Sequence, residues 1–184
     1  MLPPGLAFNA ISQKALDRAQ HARLARSYWE WQPHIDAART GWFPYTPATT
    51  LLFGLQESLR LLFEEGLDSV YARHTRHAAL TRTAVRGWGL ETHCADESAA
   101  SASVTTVLVP DGTDAERLRT VVRDDLDLIL GVGLGPLRGK AFRIGHLGSF
   151  NDLMLFGTLA GVELGLRRVG IGSPGGLAAA LDAA

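Results

Sequence analysis

The chain has 184 residues, 46% of them hydrophobic, enough for one domain and part of another around a real core and too apolar for wholesale disorder. Its 18 Lys and Arg against 19 Asp and Glu leave a formal net charge of -1, which excludes a global basic field for nucleic acid. Cys94 is the single cysteine, so an internal disulfide framework and a cysteine-rich zinc site are both excluded, and a reducing compartment, the cytoplasm, is expected.

Pro3, Pro4 and Gly5 interrupt the opening residues, where no basic segment precedes an apolar run, so no signal peptide is expected. Ser12 to Arg26 lacks helix breakers and sets Ala15, Leu16, Ala19, Ala22 and Leu24 among charges, the pattern of a partly buried helix. Trp29 to Pro47 mixes aromatics with Pro33, Gly41, Pro44 and Pro47 and reads as an ordered loop. Leu51, Leu52, Leu55, Leu59 and Leu62 then recur at helical spacing up to Gly66, where a left-handed cap would suit glycine. A second helix spans Leu67 to Arg86, ahead of Gly87 and Gly89.

The pattern then changes. Leu90 to Cys94 and Ser103 to Val109 have strand composition. Thr113 with Glu116 is a capping-box signature, and Leu118, Val121 and Val122 continue it as an amphipathic helix. Leu126 to Leu130 and Ala141 to Leu147 read as two further strands around the glycine-rich turn Gly131 to Gly139, before a last long helix from Asn151 to Arg168. Within that helix the apolar run Leu153 to Val162 is too short to cross a bilayer, so no membrane partner is expected. Gly172 to Ala184 is small and glycine-rich, suited to fraying or to a short surface helix. This order predicts an α+β fold, a small and mainly antiparallel sheet with helices packed on one face, and a domain boundary near residue 66 that separates 1–66 from 67–184.

Two segments carry candidate chemistry. Residues 143–148 read RIGHLG. Arg143 offers a planar fork that can donate two parallel hydrogen bonds to a carboxylate and stays charged at any working pH; Gly145 and Gly148 would let backbone pass close to a ligand or strand. Residues 43–50 read FPYTPATT, where Thr46 and Tyr45 bring hydroxyls to the start of a helix whose free N–H groups favour an anion. The plain alternatives are an edge-strand arginine in a surface pair and a proline-punctuated turn with a threonine cap.

Other motifs fail. The run from Gly131 to Lys140 has Leu134 and Ala141 where a phosphate loop needs glycine and a hydroxyl, and Pro136 spoils a dinucleotide fingerprint. His74 and His77, three apart, read as a solvated helix face, with no third ligand to make a metal site. His146 is an odd number of residues from Arg143 and is expected on the opposite strand face. Gly157, Gly161 and Gly165 read as a stripe for close packing.

With RIGHLG about a hundred residues after FPYTPATT, and MLPPGL, FPYTPATT, EEGLDSVYARH and RIGHLG following in order, the chain resembles the C-terminal part of a class V, fold type I aminotransferase that uses pyridoxal phosphate. The serine-glyoxylate and alanine-glyoxylate aminotransferases fit best, the former through YTPATT and FRIGHLGSFNDL. The resemblance implies that Arg143 holds the α-carboxylate of small amino and keto acid substrates. It implies that Thr46, with Tyr45, contacts the cofactor phosphate of the other subunit in a homodimer. The MLPPGL segment follows the Schiff-base lysine in that family, so Lys14 and Lys140, the only lysines, are not at matching positions and no catalytic residue is assigned. The chain is thus expected to be 1–66 of a large cofactor domain followed by a small domain over 67–184, unable to bind the cofactor covalently and inactive alone. The other expectation is a non-catalytic dimerisation or binding module that pairs with a complete homologue.

Overall fold

In the computed structural model, which describes residues 2–184, the first helix, α1 (Gln13–Ala19), starts at Ser12, whose hydroxyl accepts the N–H of Ala15 at 3.3 Å. It stops well short of Arg26. The Arg26 guanidinium returns to take the carbonyl of Ala19 at 2.7 Å while its Nε pairs with Glu30, so a side chain satisfies the helix end that further turns would have covered.

The loop expected over Trp29 to Pro47 begins at the end of a 3-10 turn (Ser27–Trp29) and contains a helix, α2 (Trp31–Arg39). Pro33 is the third helical residue, where a missing N–H breaks no intrahelical bond, so proline there marks a first turn and not a loop. The helix α3 (Thr49–Glu65) follows, and then Gly66 with φ of +86° and ψ of +131°. Glycine is needed for that φ, but the bend is extended and not the left-handed cap expected.

The chain divides into two compact units, Met1–Glu64 and Glu65–Ala184. The second contains α4 (Leu67–Gly87), β1 (Glu91–Thr92), β2 (Val104–Leu108), α5 (Ala115–Leu126), β3 (Gly131–Val132), β4 (Ala141–Gly145), α6 (Asp152–Val169) and α7 (Gly176–Asp182). The four strands form one antiparallel sheet in the order β1-β2-β4-β3. Alternation along the strands sends Val107, Phe142 and Ile144 into a core shared with Leu118 and Val122 of α5 and Leu155, Leu159 and Val162 of α6, so helices cover one face of the sheet, as expected.

Several boundaries differ from the sequence reading. The cap of α5 is Asp114, whose carboxylate accepts the Glu116 N–H at 2.9 Å, while Thr113 donates to the carbonyl of Pro110. Leu126 ends α5 and no strand runs from it to Leu130; a left-handed Asp127 turns the chain so that β3 occupies only the first two residues of the glycine-rich segment. The tail is not frayed: α7 lies against α4 so closely that a Cβ on Gly176 would sit 2.4 Å from the Ala84 carbonyl oxygen. Glu163 ties the corner together, accepting from the Trp88 indole at 3.0 Å and from the Leu177 N–H at 2.9 Å. Of the glycine stripe, Gly161 and Gly165 face Leu128 and Val122, whereas Gly157 faces open space.

Candidate active site

Arg143 sits in the middle of β4, paired across the sheet with Thr106 of β2 on one side and Gly131 of β3 on the other. Its half-buried side chain stands on the face opposite the helices and leans over Gly131: a Cβ added there would lie 3.0 Å from the Arg143 Cβ and 3.2 Å from its Nε. The Nε donates to the Val132 carbonyl at 2.8 Å. That one bond fixes the plane of the guanidinium and leaves its two terminal nitrogens without a hydrogen-bond partner among the described residues, the arrangement a bidentate anion requires. Gly131 is therefore part of the site. The sequence assigns its segment only to a turn, because the pairing of Gly131 with Arg143 is a matter of strand register.

His146 enters the core as strand alternation predicts, fully buried, with its two ring nitrogens 3.0 Å from the Thr105 hydroxyl and 3.1 Å from the Ala102 carbonyl oxygen. Burial, with nearby His77, Arg82 and His74 adding to it, pushes its pKa from 6.5 to about 4, so the ring is neutral at ordinary pH. Gly145 has open space where a side chain would stand, with no other described segment packed there; Gly148, with φ of +93°, makes the turn after β4.

The solvated face expected for His74 and His77 is wrong. Both are buried, because Val70, His74, His77 and Thr81 form the inward stripe of α4 while Arg73 and Arg76 beside them give the segment its exposed look. His74 Nδ1 lies 2.7 Å from the Val70 carbonyl oxygen and its Nε2 accepts the Gly148 N–H at 2.9 Å. His77 Nε2 meets Asp152 at 2.8 Å, and Arg76 holds the same carboxylate, keeping the Asp152 pKa below the usual carboxylate range. No group of three His, Cys, Asp or Glu gathers among the described residues to hold a metal ion.

In the other unit, Tyr45 and Thr46 are exposed just before α3. The Tyr45 ring belongs to an aromatic cluster, 5.1 Å from Tyr28 and 5.9 Å from His34 by ring centroids. Beside it His34, Ala38, Trp42, Phe43 and Pro44 line a cavity of about 410 Å³. Exposed hydroxyls at the head of a 17-residue helix fit a phosphate. The donor set for a covalent cofactor bond is different: Lys14 and Lys140 are both on the surface, one on α1 and one just before β4.

No protein-family profile matches the chain. Its fold is that of the pyridoxal-phosphate-dependent transferases: the solved ureidoglycine-glyoxylate aminotransferase of Bacillus subtilis superimposes with a TM-score of 0.77 and 30% identity, over 92% of this chain and 45% of that one. The chain is 45% identical to the serine-glyoxylate aminotransferase of Methylorubrum extorquens over 98% of its own length and 46% of the relative, and 43% identical to that of Hyphomicrobium methylovorum over 93% and 43%. It belongs to the class V, fold type I aminotransferase family of the serine-glyoxylate and alanine-glyoxylate enzymes, and aligns with their C-terminal part. It spans about half the length of the curated relatives it matches. No described helix is long and apolar enough to cross a membrane.

Proposed function

We propose that the chain is the C-terminal portion of an aminotransferase that moves the amino group of serine or alanine to glyoxylate, and that it does not transaminate alone. The observation that carries this reading is Arg143, laid flat over Gly131 with its Nε bound to Val132 and its terminal nitrogens open. As part of such an enzyme, that fork binds the α-carboxylate of donor and acceptor in turn and holds each in one plane. Tyr45 and Thr46 hold the cofactor phosphate, reaching a second subunit of a homodimer.

Bound pyridoxal phosphate supplies the electron sink for the carbon that loses or gains the amino group. Lys14 and Lys140, the two lysines of the chain, are both exposed, and neither is assigned to a covalent bond with the cofactor. Glyoxylate as the acceptor is supported by the names of the serine-glyoxylate and ureidoglycine-glyoxylate relatives, which share it and differ in the amino donor. A cytoplasmic location accords with Cys94, an exposed free thiol.

The surface lysines also favour a second reading, a non-catalytic module that associates with a complete subunit. One experiment separates the two. The chain is joined to the part of the Methylorubrum extorquens relative that it does not match, and the hybrid and the free chain are assayed with serine and glyoxylate. Turnover by the hybrid alone is expected; an inactive but folded and cofactor-loaded hybrid would favour the module. Borohydride reduction of the free chain with pyridoxal phosphate should label neither Lys14 nor Lys140, and stoichiometric labelling of either would overturn the assignment.

A further inference from the structure

The turn that follows β4 is held from outside by two consecutive residues of α4. Gly148 offers one N–H and one C=O; His74 Nε2 accepts the first at 2.9 Å and Arg73 donates to the second at 2.9 Å. Arg73 also donates to the Phe150 carbonyl at 3.0 Å and grips both oxygens of Glu65, at 2.7 and 2.8 Å, so its guanidinium is committed on three sides. His74 has no freedom either. With Nδ1 donating its proton to the Val70 carbonyl, the lone pair of Nε2 is left to accept from Gly148, so the two bonds fix the ring in one tautomer.

These contacts act on the strand that carries Arg143. Beyond Gly145 the sheet offers β4 one more bond, from the His146 N–H to the Ser103 carbonyl at 3.0 Å, and then the chain must turn at Gly148, where φ is +93°. The height of β4 against its neighbours is therefore set at two places past its end: by His146, locked to Thr105 and Ala102, and by the turn locked to His74. We propose that His74 is a positioning residue for Arg143, which it serves by holding the Gly148 turn and through it the end of β4. This rests on the reading of Arg143 as the carboxylate ligand. An arginine that must present two donors in one plane loses more from a small displacement than a surface charge would.

The variants that test it are His74→Ala, which leaves the part-buried Gly148 N–H without its acceptor, and His74→Gln, whose amide oxygen can reach the place of Nε2. In the chain itself, hydrogen exchange at the Gly148 amide should quicken at least about tenfold in His74→Ala and stay near the parent rate in His74→Gln. In the active hybrid, the KM for glyoxylate and for the amino donor should rise about ten- to a hundredfold in His74→Ala with kcat much less affected, and His74→Gln should recover most of the loss. If both variants lower the melting temperature alike and neither changes KM, His74 is a structural residue and the inference is wrong. Arg143→Lys run in parallel separates the failures: if it raises KM while His74→Ala does not, only the role of His74 falls, and if it leaves KM unchanged the reading of Arg143 falls and takes the inference with it.

Discussion

In Glu65–Ala184 the side chains of Trp88, Leu118, Phe142 and Leu155 are fully buried, whereas in Met1–Glu64 those of Phe8, Trp29, Trp42 and Phe53 are each at least 73% exposed. The first of these units closes a core around its sheet. The second buries only Ser58 among its described residues, although α3 shows a leucine periodicity as good as any in the chain. Periodicity states which face of a helix must be covered, and it is silent on whether the cover lies in the same polypeptide. A unit without a core has little to set against the entropy of ordering its backbone.

The comparison breaks most easily by separating its two halves. Glu65–Ala184 expressed alone should retain near-ultraviolet dichroism and unfold cooperatively in urea, while Met1–Glu64 alone should show no cooperative transition. A sharp transition in the smaller piece would mean that it has a core of its own. The whole chain should associate through its uncovered apolar surface, which light scattering would contradict by finding a monomer over a wide concentration range.

Matched substitutions sharpen the contrast. Phe142→Ala should cost about 3–5 kcal/mol and Phe53→Ala no more than about 0.5 kcal/mol, read as shifts in the urea midpoint at constant slope. A smaller difference is expected from pH. His146 titrates near 6.5 when unfolded and near 4 in the folded core, so the unfolded state binds the extra proton between those values and stability falls as pH drops from 6.5 to 4. The loss should be on the order of 3 kcal/mol and should flatten in His146→Asn. The smallest effect concerns the cap of α5: Asp114→Ala should cost about 1 kcal/mol and Thr113→Ala less, the reverse of what the capping box would give.

Much of Glu65–Ala184 was legible. The core stripes of α5 and α6, the antiparallel pairing and the opposed faces of Arg143 and His146 all follow from periods of 3.6 and 2. What escaped were features set by distant partners. Arg26 ends α1 by reaching back to Ala19, and His74 is buried because Gly148, 74 residues away, requires an acceptor. Arg73 and Arg76 misled for the same reason, since their partners at Gly148 and Asp152 are remote in sequence. In the candidate site the types Arg143, Tyr45 and Thr46 could be named from motif and resemblance, but the flat seat of Arg143 on Gly131 depends on strand register, which a two-residue β3 scarcely signals.

The central claim is that Arg143 binds the substrate carboxylate through its fork, and Arg143→Lys in the active hybrid tests it most directly. Lysine keeps the charge and loses one of two charge-assisted hydrogen bonds, each worth roughly 1.5–3 kcal/mol. The account predicts that kcat/KM for the amino donor and for glyoxylate both fall about ten- to a hundredfold while pyridoxal phosphate affinity barely changes. Unchanged kcat/KM with weakened cofactor binding would place Arg143 on the phosphate or the ring and contradict the account.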